Sequence, residues 1–324
     1  MIIRMIIRSL LNKNKKEGNL IMAVKQSYAM VNGVKMLATY DSDTQLWTVE
    51  GNAPADSSWS QPDHVYKIEL HAEDEAGNKT TMTADDQTYG NQLKLRVLEK
   101  TKPTATIVSP ASGSVLGASI QDIRLEVKDA GGSGLNLNSV VFKVNSKVIA
   151  NAGLSWTDGS SGAKVCTYRA TNLPDGANKI ELTVQDNDGN ISTAAVVNFV
   201  ISTAAPTLDV KTPVDNILTN KTSVTVSGIA AAGSSAVTLA EVTINGARVD
   251  VGEGGAFSKV VTGLQEGNNS IVIVAKDSLG KTTTVTRNVR VDTKAPVISD
   301  VVAQATTVDA GGRIKITFKV VDPA

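Results

Sequence analysis

The sequence predicts an all-β protein made of tandem antiparallel β-sandwiches. Three observations predict it: a block that recurs along the chain, a proline seam that recurs between blocks, and apolar residues that alternate with polar ones inside them. Lys67–Asn78 (KIELHAEDEAGN) is matched by Lys179–Asn190 (KIELTVQDNDGN) and by Ser270–Lys281 (SIVIVAKDSLGK). The second and third copies also share an approach, Leu173–Asn178 (LPDGAN) against Leu264–Asn269 (LQEGNN). Each seam sets a proline, Pro103, Pro206 or Pro296, just before an alternating run, where an edge strand loses no ladder donor. Within the blocks Ile68, Leu70 and Ala72 alternate with Lys67, Glu69 and His71, and Ile123, Leu125 and Val127 with Arg124, Glu126 and Lys128. One face is therefore buried and the other wet. Turn signals such as Asn32-Gly33, Asn145-Ser146 and Asn245-Gly246 punctuate the strands.

In chain order, residues 1–22 read as a leader outside the fold. Arg4 and Arg8 interrupt its apolar stretch, which excludes both a signal-peptide core and a membrane span. Lys15-Lys16-Glu17-Gly18 back-translates to a ribosome-binding sequence ahead of Met22, so these residues are expected to be a mis-assigned start or disordered; a surface-lying amphipathic helix is the alternative. Residues 23–101 form the first unit, 102–203 the second and 204–293 the third. Residues 294–324 read as the truncated start of a fourth, two strands only, and a lone strand pair is marginal in water, so this tail is expected to be poorly ordered or docked on a neighbour unless more chain follows.

Composition narrows the function. The 324 residues exceed what one core organises, and 3 Trp, 5 Tyr and 4 Phe leave little of the ring-rich interior of a large enzyme. Lys plus Arg and Asp plus Glu each total 32, so no global field favours nucleic acid or an anionic membrane. One cysteine, Cys166, excludes an internal disulfide, and two histidines, His64 and His71, fall on opposite strand faces and cannot share a metal. No catalytic residue and no cofactor is expected.

The strand, Asp-x-x-Gly-Asn turn and strand, the Thr-Lys-Pro or Ala-Pro seam, and Asp129–Leu135 (DAGGSGL) together resemble the bacterial immunoglobulin-like domains found in tandem on surface and phage proteins. The resemblance runs from residue 23 onward and implies immunoglobulin-like sandwiches in an elongated array. Leu46-Trp47-Thr48, Ser57–Tyr66 and Tyr89–Val97 in the first unit are similar to Ig-like proteins of phage and prophage tail modules of Gram-positive bacteria. That similarity implies a non-enzymatic tail protein of the virion, made in the host cytoplasm, whose partners are tail or surface proteins and host cell-wall glycans. A bacterial surface adhesin or stalk, or accessory modules of a larger wall hydrolase, are the alternatives; neither nucleic acid nor membrane insertion enters.

Candidate residues follow. Asp74, Asp186 and Asp277 end their strands in phase with the inward residues, where a carboxylate accepts amide hydrogens from the following turn; Gly77, Asn78, Gly189, Asn190 and Gly280 complete those turns. A weaker alternative draws calcium ligands from Asp129, Asp186 and Asp188. Trp59, in a Ser-rich loop between Pro54 and Pro62, either stacks on a sugar or partner or pins its loop, and Tyr89 and Asn91 are its companions as candidate ligand-binding residues. Trp47 reads as core, His71 as part of a solvated strand face, and Cys166 as a small buried residue without a general base.

Overall fold

Asn-Gly and Asn-Ser pairs close three of the hairpins, with φ of 47° and 76° at Asn32 and Gly33, 49° and 66° at Asn145 and Ser146, and 49° and 79° at Asn245 and Gly246. Two consecutive positive φ angles give the type I′ turn, whose twist matches that of the strands it joins. The computed structural model describes residues 2–8 and 24–323.

The first sandwich is one curled sheet. Its strands are β1 (Ile2–Arg8), β2 (Val24–Val31), β3 (Val34–Asp41), β4 (Leu46–Asn52), β5 (Tyr66–Asp74), β6 (Lys79–Met82) and β7 (Lys94–Leu95), in the order β1-β4-β3-β2-β5-β6 with β7 also on β5. After the β2-β3-β4 meander, a long connection returns β5 to the side of β2, which is a Greek key. Ile2–Arg8, expected as leader or amphipathic helix, is instead extended and antiparallel to β4, Ile2 opposite Asn52 and Arg8 opposite Leu46. Edge pairing satisfies backbone groups along one side of this Ile-rich stretch, and β-branched residues suit a strand. The rest of the expected leader, residue 1 and residues 9–22, lies outside the described residues.

The second sandwich has two sheets. Its strands are β8 (Thr104–Ser109), β9 (Val115–Leu116), β10 (Gln121–Lys128), β11 (Leu135–Val144), β12 (Lys147–Ile149), β13 (Thr157–Asp158), β14 (Lys164–Ala170), β15 (Gly176–Asp186) and β16 (Ala195–Ile201). They order as β13-β14-β10-β8 and β12-β11-β15-β16-β9, and β9 runs parallel to β16. The third repeats the plan with β17 (Thr207–Thr212), β18 (Ile217–Thr219), β19 (Ser223–Ala231), β20 (Leu239–Ile244), β21 (Ala247–Val249), β22 (Ala256–Thr262), β23 (Gly267–Asp277) and β24 (Thr282–Val291). Its sheets are β17-β19-β22 and β18-β24-β23-β20-β21, with β18 parallel to β24. Strands β8, β17 and β25 (Val297–Ala303) each begin one residue after a seam proline.

Period-two alternation becomes burial. Ile123, Leu125 and Val127 are buried and alternate with Asp122, Arg124, Glu126 and Lys128 outside, and Ile271, Ile273 and Ala275 do the same on β23. Each fully buried aliphatic side chain contributes about 1.5–3 kcal/mol relative to exposure. Phe142 meets Tyr168 edge-to-face at 5.3 Å between centroids. The first core is smaller, built on Ala29, Val31, Val49, Tyr66, Ile68 and Leu93.

By compactness the chain falls into two units, and the division runs through the second sandwich. One unit holds the first sandwich with Asp122–Ala170 and Lys179–Asn198; the other holds Gly113–Gln121, Thr171–Asn178 and the chain from Phe199 on. The tail is not shapeless: β25 pairs antiparallel with β26 (Ile316–Val321), Val297 opposite Val321, while its apolar side chains, Ile298 and Phe318 among them, stay exposed.

Candidate functional site

The repeated carboxylates close turns. Asp74 Oδ1 accepts from the Asn78 N–H and its Oδ2 from the Asn78 amide, both at 2.8 Å. Asp186 holds Asn190 in the same way at the same distances. Gly77, Gly189 and Gly280 take φ of 87°, 91° and 84°, the left-handed conformation that lets the chain reverse in each turn. Asp277 departs from the pattern because Lys281 stands where the others have Asn. Its Oδ1 accepts from the Leu279 and Lys281 N–H groups, and its Oδ2 is buried without a partner. The Asn78 side chain and then its backbone N–H hold the Asp74 carboxyl below the usual carboxylate range.

The turn of the second sandwich meets the end of the first at Glu99, a residue that no repeat signals. The Asn190 amide donates to the Glu99 carbonyl at 3.1 Å and to its Oε1 at 3.3 Å, and Ser133 Oγ donates to the same Oε1 at 3.1 Å. Asp188 Oδ2 accepts from Ser57 Oγ at 2.6 Å and from the Glu99 N–H at 3.0 Å. Asp188 therefore ties the first sandwich to the second and stands apart from a shared acid cluster. Asp129 and Asp186 do come together, with Glu99 as the third carboxylate; single oxygens of the three lie within 4.8 Å of one another. Asp129 spends both oxygens on the Gly131, Gly132 and Gly134 N–H groups. Burial first, and then the Asp186 carboxyl, raise the Glu99 carboxyl above its ordinary range.

In the first sandwich Trp59 lies in a short 3-10 turn, Ser58–Ser60, half-buried, with its ring stacked on His64 at 3.9 Å and 10°. The His64 Nδ1–H donates to the Trp59 carbonyl, and Ser57 Oγ caps the turn on the Trp59 N–H. One face of the indole is thus committed to its own loop. Tyr89 is 41% exposed, Asn91 is exposed and accepts from Lys94 Nζ, and Asn91 follows Gly90 in a separate 3-10 turn. His71 is on the outer face but not solvated as the alternation suggests. Tyr28 of the neighbouring strand stacks on it at 4.6 Å, Lys35 Nζ sits over the Tyr28 ring at 3.9 Å, and Thr81 Oγ1 meets its Nδ1 at 3.0 Å.

A groove of about 780 Å³ opens in this sandwich. The sheet order ends on β1 and β6, which do not pair, and the groove is lined by Trp47 of β4 facing β5 and β6. Trp47, read as core, is half-buried here and lies 5.1 Å from Tyr40. Its strand parity is that of buried Val49, and β1 and β3 both pair with β4 at this position, but its side chain lines the groove instead of joining the buried core, which includes Val49. Leu70, Ala72 and Met82 add apolar wall, and the carboxylates Glu73 and Asp74 stand toward one end, Asp85 and Asp86 toward the other. Cys166, as expected, is buried, and burial pushes its thiol up, away from the thiolate a nucleophile needs. No helix among the described residues is long and apolar enough to cross a membrane.

Residues 206–293, the third sandwich, match the family described as glucodextranase, domain B. A stretch of 147 residues is 27% identical to Bacillopeptidase F of Bacillus subtilis (strain 168), covering 45% of this chain and 10% of that protein. The chain thus spans about a tenth of the length of this curated relative. Among solved structures it is similar to the fibronectin(III)-like modules of Clostridium thermocellum CbhA (TM-score 0.33, 18% identity, 58% of this chain and 94% of that one). It is also similar to the tandem Ig repeats of Dlar (0.22, 14%, 59% and 98%) and to SGBP-B of Bacteroides ovatus, solved with a mixed-linkage heptasaccharide (0.22, 15%, 87% and 64%). The described residues form an all-β chain of successive antiparallel β-sandwiches, the third of which carries the family match.

Proposed function

We propose that this chain is a non-enzymatic display and adhesion protein whose immunoglobulin-like units bind cell-wall glycans or neighbouring proteins weakly and through many copies. The observation that carries the reading is the fate of the repeated carboxylates: Asp74, Asp186 and Asp277 each accept hydrogen bonds from the bend that follows them and so serve as turn closures. What the first sandwich offers is a surface for binding, with an aromatic groove and exposed loops at Tyr89 and Asn91. Weak sites of this kind gain avidity when several copies are held together. We place the protein in a phage tail or tail-like particle, on the strength of the segments around Trp47, Trp59 and Tyr89. Retention of the full chain on purified cell walls of the host, and its detection by mass spectrometry in purified particles, are the expected results. A chain that washes off walls removes the adhesion reading, and particles without it remove the tail setting.

A second reading has its own support. The match of residues 206–293 to glucodextranase domain B, and of 147 residues to part of Bacillopeptidase F, favours accessory modules within a larger hydrolase, the cell-wall hydrolase alternative. A catalytic domain in the same reading frame would decide for it.

A further inference from the structure

We propose that the groove between β4 and β6 of the first sandwich is an oligosaccharide site selective for neutral or amino-bearing sugars and closed to acidic ones. The proposal deepens the adhesion reading and rests on it. A sugar ring offers an apolar C–H face and a rim of hydroxyl donors, so its site needs an aromatic plane flanked by acceptors. The groove has both. Trp47 presents part of its indole beside Leu70, Ala72 and Met82, and carboxylates stand at both ends.

The carboxylates differ in how far the fold has used them. Asp74 closes its turn, and Glu73 accepts from the Gln26 amide at 2.7 Å and lies 3.4 Å from Lys25. Asp86 Oδ1 accepts from the Thr88 and Tyr89 N–H groups. Asp85 is the least committed acceptor: its side chain is 82% exposed and its contact is a long ion pair with Lys67 at 3.7 Å. A hydroxyl or ammonium donor of the ligand meets Asp85 while the ring lies on Trp47. Four acids line the groove, Glu73, Asp74, Asp85 and Asp86, against Lys79 on the wall and Lys25 and Lys67 paired beside it, a negative excess that repels a uronate or phosphate-bearing chain. The run from Lys79 at the start of β6 to Thr83 just past its end is roughly 13 Å at strand rise, long enough for more than one ring. The volume falls within the range of about 300–1,000 Å³ usual for small-ligand sites.

The test titrates the full chain with three soluble probes, following tryptophan fluorescence and heat: chitin oligomers (neutral), chitosan oligomers (amino-bearing) and polygalacturonate oligomers (acidic). The first two are expected to bind and the third not. Trp47→Ala should weaken both at least tenfold, Trp47→Phe less, and Asp85→Asn should weaken chitosan more than chitin. Trp47→Phe preserves apolar packing, so a fold defect in the alanine variant does not hide the answer. Acidic oligomers binding as well as chitosan, or Trp47→Phe and Asp85→Asn both binding like the parent chain, overturns the proposal. If walls retain the groove variants as well as the parent, adhesion stands and this site does not. Retention abolished by protease treatment of the walls would point to a peptide partner on the open edge of β6 and likewise overturn it. A parent chain that walls do not retain at all takes the adhesion reading down first.

Discussion

The Lys281 ammonium donates to the Ser202 carbonyl at 2.5 Å, the position that the Asn190 amide holds on the Glu99 carbonyl at 3.1 Å one unit earlier. The two joints share a backbone acceptor and a donor four residues past the turn aspartate, and differ in charge. At the first, Glu99, Asp129 and Asp186 gather; at the second, Ser202 Oγ meets Ser234 Oγ at 2.8 Å and the lysine brings a positive charge.

Lys281→Met keeps the stem and removes this donor. A hydrogen bond from a charged group is worth about 1.5–3 kcal/mol. The variant should unfold its third sandwich at lower urea and be cut faster by protease between Ser202 and Pro206, with the second sandwich unchanged. Equal cleavage rates would show that the contact does not hold the seam.

Turn closure should be costlier to break where it is buried. Asp186 is 1% exposed, so Asp186→Ala leaves the Asn190 N–H without its acceptor away from water and removes one of the bonds of the Asn190 amide, a loss of about 1–3 kcal/mol for such groups. Asp74→Ala opens the same turn in solvent and should cost less. Urea denaturation of the two variants checks the order.

Glu99 makes the first joint sensitive to pH. Its folded carboxyl is raised, so the native state holds the proton more tightly than the unfolded chain. The stability it contributes is present below the unfolded pKa and lost as pH rises through the folded one. Glu99→Gln should leave Tm close to the parent's in mild acid and raise it at neutral pH and above. Gly131→Ala should weaken the joint at every pH, because a Cβ there would sit 2.1 Å from the Glu99 carboxyl carbon. Thermal melts across pH separate the two.

Trp59→Ala should lower the melting temperature of the first sandwich by removing the stack on His64, a contact of about 0.5–1.5 kcal/mol. Trp59→Phe should recover most of it. Wall retention unchanged in both would assign Trp59 to its loop; retention lost in Trp59→Phe would return it to the binding surface.

Cys166 should not react with an aromatic disulfide reagent in the folded chain and should react fully in urea, since it is 2% exposed and its thiol is raised by burial. A fast native reaction would mean that β14 opens.

Period-two alternation at Ile123, Leu125 and Val127, prolines ahead of β8, β17 and β25, and the Asp-to-Asn turns were all legible in the amino-acid string. Each is a local rule: a side chain's face, a missing N–H and a short-range carboxylate bond depend on neighbours a few residues away. Trp47 and His71 could not be placed that way. Their parity was readable, but whether the core extends to Trp47 or a Tyr28 ring covers His71 depends on which strands end the sheet and which lie side by side. Glu99 was invisible for a related reason. It matches nothing in the repeat, and its partners Ser133, Asp186 and Asn190 are 34 to 91 residues away along the chain, brought to it only when two sandwiches fold and meet.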